Sequence, residues 1–152
     1  TLGAVEVGGL MPYADTTPPP AMVKPLLDGQ LPWIFTLASK LPRVKVTKTD
    51  VVAKGAGLYE VTAWVQNTGA LPLPTAMGRR NQQPGPVVVR FEGMGLTHRS
   101  GRNRTTVSEI DAGKAVKLTW LVQADAPTSV DLIVESANAW GDRARVTLGG
   151  AR

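Results

Sequence analysis

Two different spacings of apolar residues divide the chain near residue 41. Before that point, apolar residues recur every three or four positions and outline one face of a helix. The members of this stripe are Leu26, Leu27, Leu31, Ile34, Phe35, Ala38 and Leu41. Pro25 and Pro32 interrupt the stripe, so we predict two short helical pieces, each with its proline near a first turn, where the missing N–H costs little.

After Arg43 the apolar residues alternate with polar ones, a pattern typical of strands that bury one face. The clearest example is residues 59–66, where Val61, Ala63 and Val65 would face a core. The other predicted strands surround Val44 and Val46 or span residues 86–91, 105–110, 115–122, 130–135 and 144–148. No helix long enough for a parallel crossover follows Lys40. The pattern predicts an all-β fold, an antiparallel β-sandwich of about seven strands (immunoglobulin-like) preceded by a short helical N-terminal segment.

We divide the chain into a linker or helical segment, residues 1–41, and a sandwich domain, residues 42–152. A short strand at residues 4–7 and a stiff proline-rich connector at residues 16–20 are expected within the first part. In the second part, the sequence LPLPTAMGRR at residues 71–80 suits neither strand nor helix. Because its prolines cannot donate to a β-ladder, we predict that it connects the two sheets.

Composition narrows the chemistry that this chain could support. With no cysteine among 152 residues, it has no disulfides, cysteine-based zinc sites or cysteine nucleophiles, which suits either a reducing compartment or a secreted bacterial protein. No apolar run approaches the roughly 20 residues that a membrane-spanning helix needs. His98 is the only histidine, and no serine lies in a Gly-x-Ser-x-Gly turn. We therefore expect no catalytic residue, no metal site and no cofactor in this chain.

The net charge of +5 is local. Between residues 79 and 104 lie six arginines and one glutamate, while the remaining charges balance. The candidate residues for binding an anion or a partner are Arg79, Arg80, His98, Arg99, Arg102 and Arg104. One interpretation is a site for an anionic polymer or for an acidic face of another domain. The other is a set of solvated loops whose charges keep strand edges from pairing.

Further features bear on these arginines. His98 lies in the polar, glycine-flanked stretch 95–101, which we interpret as a solvated loop, leaving a functional role as the alternative. The Arg79–Arg80 pair precedes the predicted strand 86–91, and the arginines at 99, 102 and 104 follow it. The two loops therefore leave opposite ends of the strand, and one joint patch would require a loop to fold back. Phe91 is the only aromatic residue near them in sequence, and this disfavours nucleic acid, because single-strand binders use stacked aromatics.

Several short motifs follow one another in the first two thirds of the chain: GAVEVGG at 3–9, PPP at 18–20, FTLA at 35–38, LPRVKV at 41–46, GLY at 57–59, VQNTG at 65–69, and LPLPTA at 71–76. Their order resembles the carboxy-terminal part of bacterial zinc carboxypeptidase relatives of the M14 peptidase family. The resemblance covers roughly residues 3–92 and becomes generic beyond them.

The resemblance implies that the VEVGG segment and the helix close a peptidase domain, and that an immunoglobulin-like or transthyretin-like sandwich follows. The family's zinc site uses a His-x-x-Glu pair and a distant histidine, which this chain lacks, and Glu6 does not match the catalytic glutamate. It therefore implies a non-catalytic accessory fragment of a metallopeptidase hydrolase, with zinc only in an absent catalytic domain. The start at Thr1 agrees with a fragment. The implied partner is the adjacent peptidase domain in the same polypeptide, and the implied location is extracellular or periplasmic. The alternative is an independent module that binds an anionic glycan or other polymer through its arginine-rich loops.

Overall fold

The computed structural model of the chain describes residues 3–4, 8–9, 16–83 and 85–149. The chain forms two compact units, Thr1–Ser39 and Lys40–Arg152. Residues 5–7 of the strand expected near the amino terminus lie outside the described residues.

The described residues of the first unit include one long helix, α1, Pro20–Lys40, whose last residue is the first of the second unit. The prediction of two helical pieces is wrong, because the helix runs through both Pro25 and Pro32. These prolines are seven residues apart, about two turns, so both interruptions fall on one side and each removes one backbone donor. Nucleation is the costly step of helix formation, and a formed helix continues through an isolated gap. No residue of α1 is buried, and Trp33 and Phe35 are 65% and 67% exposed.

The second unit is an antiparallel β-sandwich, which confirms the predicted fold class. Its strands are β1 Val44–Gly55, β2 Leu58–Asn67, β3 Val87–Glu92, β4 Leu96–Ser100, β5 Arg104–Val107, β6 Ala115–Ala124, β7 Thr128–Glu135 and β8 Asp142–Leu148. Sheet I has the order β1-β2-β6-β4 and sheet II the order β5-β3-β7-β8. The first order and β3-β7-β8 correspond to strands A-B-E-D and C-F-G of an immunoglobulin constant domain. The extra strand, β5, pairs with β3 and follows β4 in the chain.

The inward positions of both sheets form one core, as the alternating pattern predicts. Val61, Ala63 and Val65 of β2 are buried against Val89 and Phe91 of the opposite sheet's β3 within a single cluster. Trp120 and Phe91 are the bulkiest of its fully buried or nearly buried side chains, with ring centroids 5.1 Å apart. The polar residues that alternate with these apolar ones along each strand face outward, so each sheet has a solvent-facing outer surface.

The connection from β2 to β3 crosses from sheet I to sheet II, as predicted for residues 71–80. It contains one short helix that the sequence reading missed, α2 Ala76–Arg80. Thr75 caps this helix by accepting a hydrogen bond at Oγ1 from Gly78 N, at 3.2 Å. A five-residue helix is too short to show a periodic apolar face, so the pattern could not reveal it.

Asn67, at the end of β2, ties this corner together. Its Oδ1 accepts hydrogen bonds from Arg43 N at 3.2 Å and Gly69 N at 3.0 Å. Its Nδ2 donates to Leu71 O at 2.8 Å and Ile110 O at 3.2 Å. The side chain is completely buried, and its hydrogen-bonding capacity is used in full. Asn67 thereby connects three segments through its side chain: the start of β1, the crossover, and the segment after β5.

The beginning of β1 also touches both sheets. Val44 N donates to Trp140 O at 2.9 Å, and Val46 N donates to Asp142 Oδ2 at 3.0 Å. Both acceptors belong to the start of β8 or the residues just before it, in sheet II. The same segment pairs with β2 in sheet I, beginning with Val44 opposite Asn67. One strand therefore closes the sandwich along this side.

Candidate anion-binding cleft

A cleft opens on the side of the sandwich because β4 covers only part of β6. The two strands pair only at residues 121–124 of β6. The chain then crosses at Gly101 to sheet II, where it becomes β5. The uncovered part of β6 and the edge strand β5 line a cleft of about 430 Å³. Its lining residues are Gly101, Arg102, Arg104, Thr105, Thr106, Leu118, Thr119 and Trp120.

The crossover that carries Arg102 is held in place by its backbone. Arg102 O accepts hydrogen bonds from Trp120 Nε1 at 2.9 Å and from Thr105 Oγ1 at 3.3 Å. Gly101 has a φ of +83°, and a Cβ there would lie 2.7 Å from Trp120 Cδ1. Only glycine meets both conditions without a shift of the chain. The loop is therefore a fixed support from which the arginine side chains extend.

Arg102 and Arg104 are exposed cations at or just before the start of β5. Within the part of the chain that the structure describes, neither side chain forms an ion pair or a hydrogen bond. Arg104 lies opposite Arg90 in the register of β5 and β3. Arg90 binds Glu92 at 3.1 Å and Glu135 at 2.8 Å. The nearby carboxylates are thus engaged by Arg90, and the two guanidinium groups of the cleft remain available to an external anion.

The other predicted arginines lie elsewhere. Arg79, on α2, forms ion pairs with Asp111 at 3.0 Å and Glu109 at 3.5 Å, beyond the far end of β5. Arg80 is exposed on the same helix. Arg99 donates from Nε and Nη2 to Gln123 Oε1, at 3.0 and 2.7 Å, across β4 and β6. The structure therefore brings together Arg102 and Arg104 and leaves the Arg79–Arg80 pair at the opposite end of β5.

The interpretation of His98 as a solvated loop residue is wrong. Residues 96–100 form strand β4, in which His98 is half-buried. Its ring meets Phe91 edge-on, with centroids 5.4 Å apart, and its Nδ1 is buried without a hydrogen-bond partner. The glycines and polar residues around this strand concealed it, since a five-residue edge strand with few apolar positions has a weak pattern. His98 does not line the cleft.

Sequence reading missed a second basic surface, on the outer face of sheet I. The register places Trp64 of β2 opposite Lys48 of β1 and Lys117 of β6. Lys48 Nζ lies 4.8 Å and Lys117 Nζ 5.6 Å from the Trp64 ring centroid. Lys45 lies opposite Gln66, one row further along the same face. The outward position of Trp64 was the available signal, but the register that adds the lysines is not encoded in any local pattern.

Across residues 3–4, 8–9, 16–83 and 85–149, no group of three or more histidine, aspartate or glutamate side chains is arranged to hold a metal ion. No helix formed by these residues combines the length and the apolar character that crossing a membrane requires.

Comparison with known proteins gives three findings. The model of a family described as "Domain of unknown function (DUF8731)" matches residues 43–147. No curated protein matches the chain. Among solved structures, the chain is similar to a conjugative transposon lipoprotein from Bacteroides eggerthii DSM 20697, with 12% identity and a TM-score of 0.37, over 74% of this chain and 100% of the other. A likeness of this degree establishes neither a shared fold nor a shared role.

Proposed function

The chain belongs to the family described as "Domain of unknown function (DUF8731)", and we propose that its sandwich is a non-catalytic accessory domain of a zinc carboxypeptidase-like protein. In this proposal the domain supports, or docks onto, a peptidase domain in the same polypeptide. Zinc belongs to that peptidase domain, and the protein acts in the extracellular space or the periplasm. The proposal of a zinc carboxypeptidase-like parent protein is based on the order of the short motifs within residues 3–92.

The exposed apolar surface of α1 is the observation that carries the proposal. Large apolar residues occupy more than half of the circumference of the helix, and none of them is buried. They are Met22, Val23, Leu26, Leu27, Leu31, Trp33, Ile34, Phe35 and Leu37. Burying a fully exposed side chain of this kind contributes roughly 1.5–3 kcal/mol, and covering one that is 38% to 67% exposed contributes a part of that. A helix of this composition favours contact with another protein surface, and a domain encoded next to it supplies one.

The coding sequence upstream of residue 1 gives the first test. We expect it to encode a domain with a His-x-x-Glu pair and a further, distant histidine. If it encodes no such set, the proposal is wrong.

Docking gives the second test. The upstream domain, produced separately, should co-elute with the chain in size-exclusion chromatography. Replacing Trp33 and Phe35 together by serine should abolish co-elution, whereas Lys24→Gln, an exposed change on the same helix, should not. Co-elution that survives the double replacement would mean that α1 is not the contact.

A second candidate function is the capture of an anionic glycan in the cleft. The specific observation in its favour is that Arg102 and Arg104 form no ion pair among the described residues, and that Trp120 holds the crossover leading into β5 in place. Guanidinium groups bind carboxylate, sulfate or phosphate oxygens through paired hydrogen bonds. The indole of Trp120 is 1% exposed and offers no stacking surface, so the cleft suits a sugar acid better than a nucleic-acid base.

Binding to an immobilised polyuronate tests this second function. The double variant R102A/R104A should weaken binding about tenfold or more, because two charge-assisted contacts are lost. Arg79→Ala is the matched control, since Arg79 is already paired with Asp111 and Glu109. Equal losses in both variants, or no loss in the double variant, would exclude the cleft as the site.

A further inference from the structure

Three lysines surround one tryptophan on the outer face of sheet I. We call Lys45, Lys48, Trp64 and Lys117 the lysine–tryptophan surface. All three lysines are exposed, and Trp64 is half-buried. The surface is assembled from β1, β2 and β6, which are neighbours in the sheet. Strands support a site more rigidly than loops do, so the spacing of these side chains is fixed by the register.

Asp50 lies opposite Thr62, one row from Trp64 on the same face, but among the described residues it forms no ion pair with a lysine of this surface. Lys48 Nζ and Lys117 Nζ lie 4.8 and 5.6 Å from the same ring centroid, so they are no more than about 10 Å apart. That separation is close to the Debye length of about 8 Å at physiological ionic strength, and the two ammonium groups repel each other. The ring attracts each of them but carries no net charge. Among the ion pairs of the described residues, none includes Lys45, Lys48 or Lys117. An anion bound between these lysines would relieve the repulsion.

The surface continues into the cleft. On β6, Thr119 follows Lys117 on the same face, about 7 Å along the strand. Thr119 also lines the cleft that contains Arg102 and Arg104. The hydroxyl groups of Thr119 and Thr62 lie 3.3 Å apart, and Thr62 occupies the row next to Trp64. Thr62 is 6% exposed, so Thr119 is the exposed link, and a polymer lying across it reaches both the arginines and the lysines.

We propose that the lysine–tryptophan surface is a second subsite for an acidic polysaccharide, with a uronic acid ring against the exposed part of Trp64 and its carboxylate groups bound by the lysines. The inference rests on the glycan-binding function proposed for the cleft and adds a sugar class and a requirement for length. The C–H face of a sugar packs on an indole, while its hydroxyl and carboxylate edges meet threonine, glutamine and lysine. Trp64 is the only aromatic residue that the described strands place on this outer face, which disfavours the repeated stacking of a nucleic acid.

Length-dependent binding by the full chain tests the inference. The probes are a disaccharide and an octasaccharide of an alginate-type polyuronate, a neutral gluco-octasaccharide, and a single-stranded oligonucleotide of equal charge, compared by isothermal titration calorimetry. The test variant is K48Q/K117Q, which keeps the tryptophan ring. The matched control is Lys54→Gln, on the same β1 strand, where Lys54 pairs with Glu60 at 3.5 Å. Thermal melts followed by circular dichroism establish that each variant is folded.

The wild-type chain should bind the octasaccharide at least about tenfold more tightly than the disaccharide, because a second subsite is engaged without a second association step. K48Q/K117Q should lose this gain and keep its affinity for the disaccharide, and K54Q should keep both. In proton–nitrogen NMR spectra, the Trp64 indole resonance should shift with the octasaccharide. It should shift much less with the disaccharide.

The outcomes separate this inference from its premise. If the wild type binds neither uronate, both fail. If both lengths bind equally and R102A/R104A abolishes that binding, the cleft stands and the lysine–tryptophan surface is excluded. A length gain that survives K48Q/K117Q, an equal loss in K54Q, or equally tight binding of the neutral sugar or the oligonucleotide would also overturn the inference.

Discussion

Asn67 shows how a residue that resembles a turn former can be a structural centre. Its place in the sequence NTG suggests the end of a strand, and β2 does end there. What the sequence does not reveal is that its amide serves four backbone groups from three different segments. Two of those groups, Arg43 N and Ile110 O, are distant in sequence and are brought to Asn67 only by the folded sandwich, so no local pattern contains them.

Replacing Asn67 by alanine should destabilise the sandwich by about 3 kcal/mol, because buried backbone groups lose their partners. Equilibrium unfolding in urea measures the change. Gln66→Ala is the matched control, since Gln66 is a partly exposed neighbour whose amide donates one bond, to Gly113 O at 3.1 Å. A loss at residue 67 no larger than that at residue 66 would show that the network adds little.

Asp131 connects stability to pH on the outer face of sheet II. It accepts hydrogen bonds from Arg143 at 2.7 Å and from Arg145 at 2.9 and 3.2 Å. The hydrogen bonds from Arg145 and Arg143 hold the pKa of the Asp131 carboxyl well below its usual range. Because the folded pKa is lowered, the associated stability is present above the unfolded pKa of about 3.9 and is lost as the pH falls below it.

Asp131→Asn should therefore lower the melting temperature at pH 7 and flatten its decline between about pH 4 and pH 2. Melting temperatures across this range measure the effect. Asp125→Asn is the control, because Asp125 is exposed and forms no ion pair among the described residues. Parallel pH profiles for wild type and Asp131→Asn would contradict the assignment.

At the scale of elements, the sequence predicted the strands with a regular alternation of apolar and polar residues, but it did not predict the short edge strand β4. The strands with clear buried faces, such as β2 and β6, were found because each has several apolar residues in phase. Strand β4 was missed because it is short and contributes few apolar residues to the core. The continuity of α1 was missed because proline is a local signal, whereas continuation depends on the turns on either side.

The crossover between β4 and β5 offers a test of element placement. Gly101→Ala should destabilise the fold by more than the roughly 1–2 kcal/mol that left-handed backbone strain alone can cost, because its Cβ would also meet Trp120. Gly95→Ala isolates the strain, since Gly95 has a φ of +68° but nothing within 4 Å of the added carbon. Urea unfolding of both variants gives the difference. Equal costs would mean that the loop yields easily and does not fix Arg102.

At the scale of the whole molecule, the sequence located the excess charge, and the fold then separated it. Arg79 is neutralised by carboxylates near Asp111, Arg99 lies across β4 and β6, and Arg102 and Arg104 enter the cleft. The lysine–tryptophan surface shows the reverse, since charges distant in sequence become neighbours. Both effects depend on strand register, which requires the complete set of pairings.

The sandwich should fold without the first unit. All members of the core cluster lie between Val44 and Leu148, so residues 40–152 contain the apolar residues that the fold buries. This fragment should unfold in one cooperative transition, with a melting temperature within a few degrees of that of the full chain. Differential scanning calorimetry measures both. A fragment without a cooperative transition would show that the first 39 residues are part of the folding unit.

The attachment of β1 to both sheets has a mechanical consequence. A tether pulling on the chain at residue 40 would load the bonds of Val44 and Val46 to sheet II together with the β1–β2 ladder of sheet I. An edge strand held by a single hydrogen-bond ladder separates one bond at a time under low force. Here several bonds must break together, so the entry point of the chain can bear tension from whatever precedes it.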